Sequence, residues 1–442
     1  MGRPLKIVSI ALASAIIFLV AVGWYALHNP DRFLPRIKAE ILNKTGLQVE
    51  IKHVSLRLLP MLSVRIYGLE VKNPKPFPPG DFLNVPSLEV TLELTPLLHR
   101  QIVIRTLALN GPTIDFISDP DGLWNFQNPA SSKRQPEDFS MGSVSDLQVR
   151  NGTLLGSNLI DPADTPGPVV LELRNVSGEL KQIAFHSRGH SGLVHAIQGN
   201  LTAEKARFGV IHTSDLRSHV RISPRQLTFK NFKTTTYRGK ASGDLSFHFE
   251  AKNTTFESNM QVSGIGMPYL LAEFGQASKQ EPKMTGMMQA KLGLTGQIEH
   301  SSNPLAEMHG VGNITIDHGE LPSLNRNKNM KEMERFRSPG ASSQPPSAFS
   351  SFAGDMELKN HRIYSRRIAI DFYGIDVDGS GSMSVAGGPL DYRGAATILK
   401  KQGFFTNTFA RWFKGAKEKN GRLTFPIRLT GTLADPKFSV VD

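Results

Sequence analysis

From Leu47 onward the chain alternates apolar and polar residues, and this period of two constrains the fold more than any other feature. The clearest stretch sets Leu88, Val90, Leu92 and Leu94 between Ser87, Glu89, Thr91, Glu93 and Thr95. Successive side chains of a strand point to opposite sides, so such a segment is a strand with one apolar face. The pattern returns at Leu245, Phe247, Phe249 and Ala251, at Met288, Ala290, Leu292 and Leu294, at Ile368, Ile370 and Phe372, and at Leu423, Phe425, Ile427 and Leu429. Turn signals punctuate it: Asn110-Gly111-Pro112, Asp121-Gly122, Asn151-Gly152, His318-Gly319 and Gly387-Gly388-Pro389.

Alternation without long intervening helices excludes a parallel α/β fold and predicts a mainly β body of antiparallel sheet over residues 47–442. A closed sandwich uses about seven to nine strands, and this chain offers more. The expectation is therefore an elongated, curved sheet that repeats a strand-turn-strand unit. Residues 129–143, 276–284 and 322–351 interrupt the pattern, which resumes after each, so they read as loop insertions. The last contains SPGASSQPPSAFSS and reads as a flexible loop, although its first part, Asn325 to Arg337, is charged and helix-permissive.

The N-terminus suggests a compartment. Residues 7–27, IVSIALASAIIFLVAVGWYAL, carry no charge and as a helix would extend about 31 Å, enough for a hydrocarbon core. Trp24 and Tyr25 stand at one end, as residues of an interfacial belt do. A cleaved signal peptide has a shorter apolar core and a small-residue cleavage site, so the segment reads as a single-pass anchor. Arg32, Arg36, Lys38 and Lys44 beyond it outnumber Arg3 and Lys6 before it. Long domains nevertheless cross largely regardless of charge, so 1–6 is expected to be a cytoplasmic tail and the body to lie on the far, periplasmic side of the membrane. Between anchor and strands, residues 28–46 place Phe33, Leu34, Ile37, Ile41 and Leu42 at helical spacing, with Asp31 as expected N-cap and Gly46 as stop. This short amphipathic helix is expected to plug one end of the β-structure.

Several classes of function are disfavoured. There is no cysteine, which rules out disulfides and thiolate metal sites. Lysine and arginine exceed acids 51 to 39, but no nucleic-acid-binding motif accompanies the net positive charge, and nucleic acid is not an expected partner. His186, His190 and His195 lack the spacing of a zinc helix and read as loop histidines. Gly189 to Gly192 falls short of a nucleophile elbow, and Gly264-Ile265-Gly266 lacks the third glycine and the helix of a dinucleotide fingerprint. Asp119-Pro120-Asp121-Gly122 reads as a tight hairpin turn. No catalytic residue, metal or cofactor is expected.

The anchor, the helix and LQVEIKHVSLRLLPMLSVRIYGLEVKNP resemble the AsmA-like family and its chorein-type start, as does the phrase LALNGPTIDF followed by DGLWNF, Leu107 to Phe126. The ending LTFPIRLTGTLADPKFSVVD, with Gly431 and Asp435-Pro436, is similar to the family's C-terminus. The resemblance covers about residues 1–130 and 376–442 and survives between them only in phrases such as VRNGTLLGSNLIDP. It implies a β-groove folded lengthwise like a gutter, anchored in the inner membrane, of the kind implicated in moving phospholipid and in outer-membrane biogenesis. A one-sided sheet must bury its apolar face against something, and the sequence shows only two amphipathic helices to cover it. The lipid-lining candidates are then Leu88, Val90, Leu92, Leu94, Leu245, Phe247, Phe249, Met288, Leu292, Leu294, Ile368, Ile370, Phe372, Leu423, Phe425, Ile427 and Leu429. The alternative is a non-catalytic periplasmic scaffold that helps outer-membrane proteins assemble by lending strand edges.

The second helix, Phe404 to Lys417 in FFTNTFARWFKGAKEK, sets Phe405, Phe409, Trp412 and Phe413 on one face, with Arg411, Lys414 and Lys417 beside them. It is open as a cap packed on the last strands, as an interfacial helix on anionic lipid, or as a protein-docking site.

Overall fold

A computed structural model describes residues 31, 34–45, 47–57, 61–93, 102–119, 125, 141–158, 169–183, 197–209, 211–223, 226–249, 254–275, 284–298, 308–338, 343–384, 388–399, 416–432 and 435–441. The predicted span at 7–27 lies outside the described residues, among which no helix is long and apolar enough to cross a membrane. The described chain is mainly β, with 22 strands. It divides into two compact units: Met1–Thr234, Asp244–Phe256 and Gln297–Leu305 form the first, and Thr235–Gly243, Glu257–Gly296 and Ala306–Asp442 the second.

In the first unit, helix α1 (Leu34–Thr45) precedes β1 (Val49–Glu50), β2 (His53–Arg57), β3 (Ser63–Lys72), β4 (Asp81–Leu92), β5 (Ile102–Asn110), β6 (Thr113–Ser118), β7 (Met141–Asn158), β8 (Val169–Ile183), β9 (Ile197–Phe208) and β10 (Ile211–Ser223). Of the expected apolar face, Leu34, Ile37 and Ile41 are buried over the strands, Ile37 completely, whereas Leu42 is exposed and Phe33 lies outside the described residues. Each buried side chain contributes roughly 1.5–3 kcal/mol by leaving water. Asp31 is used differently from the expected N-cap. Its carboxylate accepts the amide N–H of Val54 at 3.0 Å and pairs with His53 Nδ1 at 2.8 Å, tying the start of α1 to β2.

One apolar row crosses seven strands of this unit through successive partners: Val64, Val90, Leu107, Leu147, Leu180, Gly199 and Val220. Gly199 is required there. A Cβ on it would lie 2.0 Å from the Glu179 carbonyl oxygen, so the neighbouring backbone approaches as only glycine permits.

The sheet is not purely antiparallel, as the sequence had suggested. β5 and β6 both run parallel to β7. Residues 119–140 bring the chain back to where β5 began, a crossover long enough for a parallel return. Asn110-Gly111 is therefore no hairpin: β5 and β6 both flank β4 and both flank β7, with Gly111 at φ +64° between them. Asn151-Gly152 and His318-Gly319 are likewise kinks inside strands, with Asn151 at φ +53° and His318 at φ +51°. Asn175, Asp215 and Asn231 bend their strands in the same left-handed way.

Strand β11 (Gln226–Thr236), β12 (Gly239–Phe249), β13 (Thr254–Gly266) and β14 (Thr285–Ile298) contribute residues to both units. Contrary to expectation, a helix does follow Gly264-Ile265-Gly266: α2 (Met267–Gly275), which carries Met267, Leu270 and Leu271 into the second unit's core. That unit continues with β15 (His309–Glu320), β16 (Ala348–Lys359), β17 (Arg362–Asp371), β18 (Ile375–Ser384), β19 (Pro389–Leu399), β20 (Lys417–Lys419), β21 (Arg422–Thr432) and β22 (Pro436–Val440). Neighbours from β14 to β19 pair antiparallel, β21 follows β19, and β20 and β22 pair with β21.

The expected flexible loop at 322–351 is a packed insert. A 3-10 turn (Pro322–Arg326), α3 (Lys328–Met333) and a second 3-10 turn (Glu334–Phe336) bury Leu324, Met330 and Met333, and residues from Ala348 onward already belong to β16. Asn327 caps α3, accepting the amide N–H groups of Asn329 and Met330. Methionines at i and i+3 keep one face of this helix inward, which is why a charged segment can pack.

Candidate functional site

The apolar face of each unit is the candidate site. In the second unit its residues form parallel rows. The first runs Met288, Ile316, Phe352, Ile370, Val377, Ala396 and Phe425 through consecutive strand partners. Two steps along the strands lies the row Ala290, Ile314, Gly354, Ile368, Gly379, Gly394 and Ile427, and further along lies Leu294, Gly310, Leu358, Ile363, Met383, Leu390 and Gly431. An extra residue in β17, between Ser365 and Ile368, turns Arg366 and Arg367 outward while the apolar register is kept. Asp355 accepts the Arg367 amide N–H at 2.8 Å.

Cover is uneven. α2 and the insert lie over the first row, where Ile316, Val377, Ala396 and Phe425 are buried. On the far rows Leu294, Ile363 and Met383 are half-buried, as are Leu292 and Ile314 nearer the insert, while Leu358 and Leu390 are buried; Met288, Phe352 and Ile370 of the first row are also half-buried. The first unit repeats this contrast. α1 seals β1 to β5, whereas Leu154, Leu201, Ala206 and Leu216 on β7 to β10 stay half-buried beside a small core of Leu173, Val176 and Ala203.

The sequence candidates distribute accordingly. Leu88, Val90 and Leu92 point to the apolar side but are 0%, 0% and 3% exposed in the core under α1. Phe247 is buried too, edge-on to Phe229 with centroids 6.4 Å apart and near Phe208, while Leu245 is half-buried. Phe249 ends β12, and its side chain falls outside the described ones. Met288, Leu292 and Leu294 are half-buried on β14; Ile368, Phe372, Leu423, Phe425 and Ile427 are buried and Ile370 and Leu429 half-buried. Leu94, Trp24, Tyr25, Phe405, Phe409, Arg411, Trp412, Phe413 and Lys414 lie outside the described residues. Lys417 belongs to no helix: it is exposed at the start of β20 and pairs with Thr424, because the alternation of β21 reaches back to recruit it.

Charge is kept to other surfaces. Arg428 clasps Asp391 through Nε at 3.0 Å and a terminal nitrogen at 3.2 Å, which holds the Asp391 carboxyl below the usual carboxylate range. Lys230 and the Asn231 amide do the same for Asp244. Burial has the opposite effect on Asp115, raising its carboxyl. Among the described residues no group of three His, Asp or Glu side chains is placed to hold a metal ion, and the histidines at 186–195 lie outside them.

Sequence reasoning missed the insert's Leu324, Met330 and Met333. Met330, Met333 and Phe336 at three-residue spacing were the signal, masked by the lysines and glutamates between them. It also missed Asn125, from the phrase DGLWNF. The Asn125 side chain accepts the Ile117 amide N–H at 3.2 Å and donates to the Asp115 carbonyl at 2.7 Å and to Asn73 Oδ1 at 2.9 Å, which fixes Asn125 against β6.

Fold and face together define a class: a mainly β protein with mixed sheet whose strands present one apolar face that helices only partly cover. Residues 1–154 match the family model described as the AsmA family, which supports an AsmA-like protein. That match runs from the N-terminus through α1 and into β7, and so includes the Asn125 lock. No curated protein and no solved structure matches the chain.

Proposed function

We propose that this AsmA-like protein holds or conducts phospholipid on the uncovered part of its apolar face. In this reading a single-pass anchor at 7–27 sits in the bacterial inner membrane, the body is periplasmic, and the protein contributes to outer-membrane lipid homeostasis. The observation that supports it is the partial cover. Apolar rows and faces that helices bury in one part of each unit carry half-buried members elsewhere, Leu201 and Leu216 in the first unit and Leu294, Ile363 and Met383 in the second, beside buried ones such as Val220 and Leu390. Acyl chains laid there would gain about 0.8 kcal/mol for each methylene removed from water, with selectivity for the headgroup arising elsewhere.

Photocrosslinking side chains at Leu216, Leu292, Leu294 and Met383 should capture phospholipid in natively extracted full-length protein. Outward positions Arg217 and Lys291 serve as controls, and the sealed Val90 should capture nothing. Capture at the controls alone would sink the proposal, and co-purification of an outer-membrane protein without lipid would favour the assembly scaffold.

A further inference from the structure

The insert at 322–338 occupies the second unit's apolar face in an unusual way. It contributes no strand, and its helix has only six residues, too few to persist without packing. Side chains moor it instead. Asn327 and Asn329 both donate to the Phe438 carbonyl, at 3.0 and 3.2 Å. Asn325 bridges Glu320 Oε1 at 2.7 Å and the Ser347 amide at 3.0 Å. Arg337 donates to the carbonyls of Phe372, Gln344, Pro345 and Ala348 and lies 5.0 Å from the Tyr373 ring centroid. Against this stand two buried hydroxyls with no hydrogen-bond partner, Ser323 Oγ in the insert and Ser347 Oγ at its landing. Docking desolvates both without recompense. The apolar contact is rich in methionine, with Met330 and Met333 of the insert in one cluster with Met267 and Met288. Such side chains adapt to different neighbours at little cost.

We propose that the insert is a displaceable plug, an intramolecular occupant of the first apolar row that an acyl chain replaces. The inference rests on the lipid-holding reading above. Docked, 322–338 helps bury Ile316, Val377, Ala396 and Phe425 of the first row, while Leu294, Ile363 and Met383 of the far row stay half-buried. Displaced, it lengthens the apolar floor along the strands, so lipid and plug exclude each other on the first row only.

The chain has no cysteine, so an introduced pair is unambiguous. A Cβ at Gly374 would lie 3.5 Å from Ser338 Cβ, within disulfide range, so Ser338→Cys with Gly374→Cys can fasten the end of the plug. Gly374 has φ +100°, and the same variant in reduced form is therefore the comparison. Natively extracted full-length protein is exposed to vesicles of phosphatidylethanolamine with a diazirine in one acyl chain, and adducts are mapped by peptide mass spectrometry. Oxidation should reduce labelling at Ile316 and Val377, both buried on the first row, on the order of tenfold and leave labelling at Leu294 and Met383 unchanged. Equal first-row labelling in both forms, or none in either while Leu294 is labelled, overturns the plug and spares the lipid reading. Absence of label from every row overturns both. Should the pair prevent folding, Asn327→Ala with Asn329→Ala loosens the mooring instead: first-row labelling should rise severalfold, and an unchanged level rejects the plug.

Discussion

The two units cover part of their apolar faces with different devices. α1 is a continuous helix of 12 residues whose Leu34, Ile37 and Ile41 repeat at helical spacing, with Lys38 paired to Glu50 of β1. The insert over the second unit is broken into three short pieces that carbonyl-seeking asparagines and one arginine hold down. A periodic helix binds through area along its whole length and belongs to the global fold. A moored insert binds through a few polar points, and a few replacements should loosen it while the strands beneath remain.

The sharpest way to break that contrast is to remove one apolar anchor from each cover. Ile37→Ala should lower the global stability of the first unit by about 2–5 kcal/mol, read as a shifted denaturant midpoint. Met330→Ala should act locally, accelerating hydrogen exchange in 322–338 with the midpoint unmoved; a shift as large as that of Ile37→Ala would make the insert an ordinary part of the core. Arg337→Met comes next. Removing the guanidinium strips partners from four carbonyls, and about 3 kcal/mol of local stability should go, measured by proteolysis within 322–338. Asn125→Ala tests a lock in the first unit that the insert lacks, since it fixes backbone to backbone inside the fold. It should cost about 1–2 kcal/mol in global unfolding, and a purely local effect would remove the distinction.

The smallest expected effects are titrations of opposite sign. Burial raises the folded-state pKa of Asp115 in the first unit, so the folded state binds the proton more tightly and stability falls as pH climbs from the unfolded carboxyl value through the folded one. Asp115→Asn should therefore stabilise at neutral pH. Arg428 depresses the folded-state pKa of Asp391 in the second unit. Its stabilisation is present above the unfolded carboxyl value and disappears as pH drops through the folded one, so Asp391→Asn should weaken the protein at neutral pH and leave it unchanged in acid. Urea midpoints of both variants between about pH 3 and 7 decide the signs, and equal signs would contradict the assignment.

Much of this architecture was legible because alternation and helical spacing are local. Leu88, Val90 and Leu92 revealed their inward side, and Leu34, Ile37 and Ile41 revealed theirs, from neighbours a few residues away. What was not legible depended on distant partners. Nothing near Val90 told that α1 would seal it while Leu294 stayed half-buried. Asn110-Gly111 and Asn151-Gly152 carried the residue types of a reversal. Whether a left-handed residue closes a hairpin or kinks a strand depends on the strands alongside, here β4 and β7 in one case and β8 in the other. The mooring of the insert was hidden for the same reason, since Asn327 and Phe438 meet across 111 positions of sequence.

The parallel pairing of β7 with β5 and β6 also has a consequence in time. The described antiparallel neighbours from β7 to β10 and from β14 to β19 join segments adjacent in the chain, so each can zip onto its predecessor as soon as it exists. β7 cannot. It must wait until β4 has collected β5 and β6, then reach back across 119–140 to run beside both. Bringing loop ends together costs chain entropy before any contact rewards it. Self-assembly of the first unit thus has an early non-local bottleneck followed by stepwise accretion, and N-to-C synthesis can clear that bottleneck before the residues of the second unit have been made.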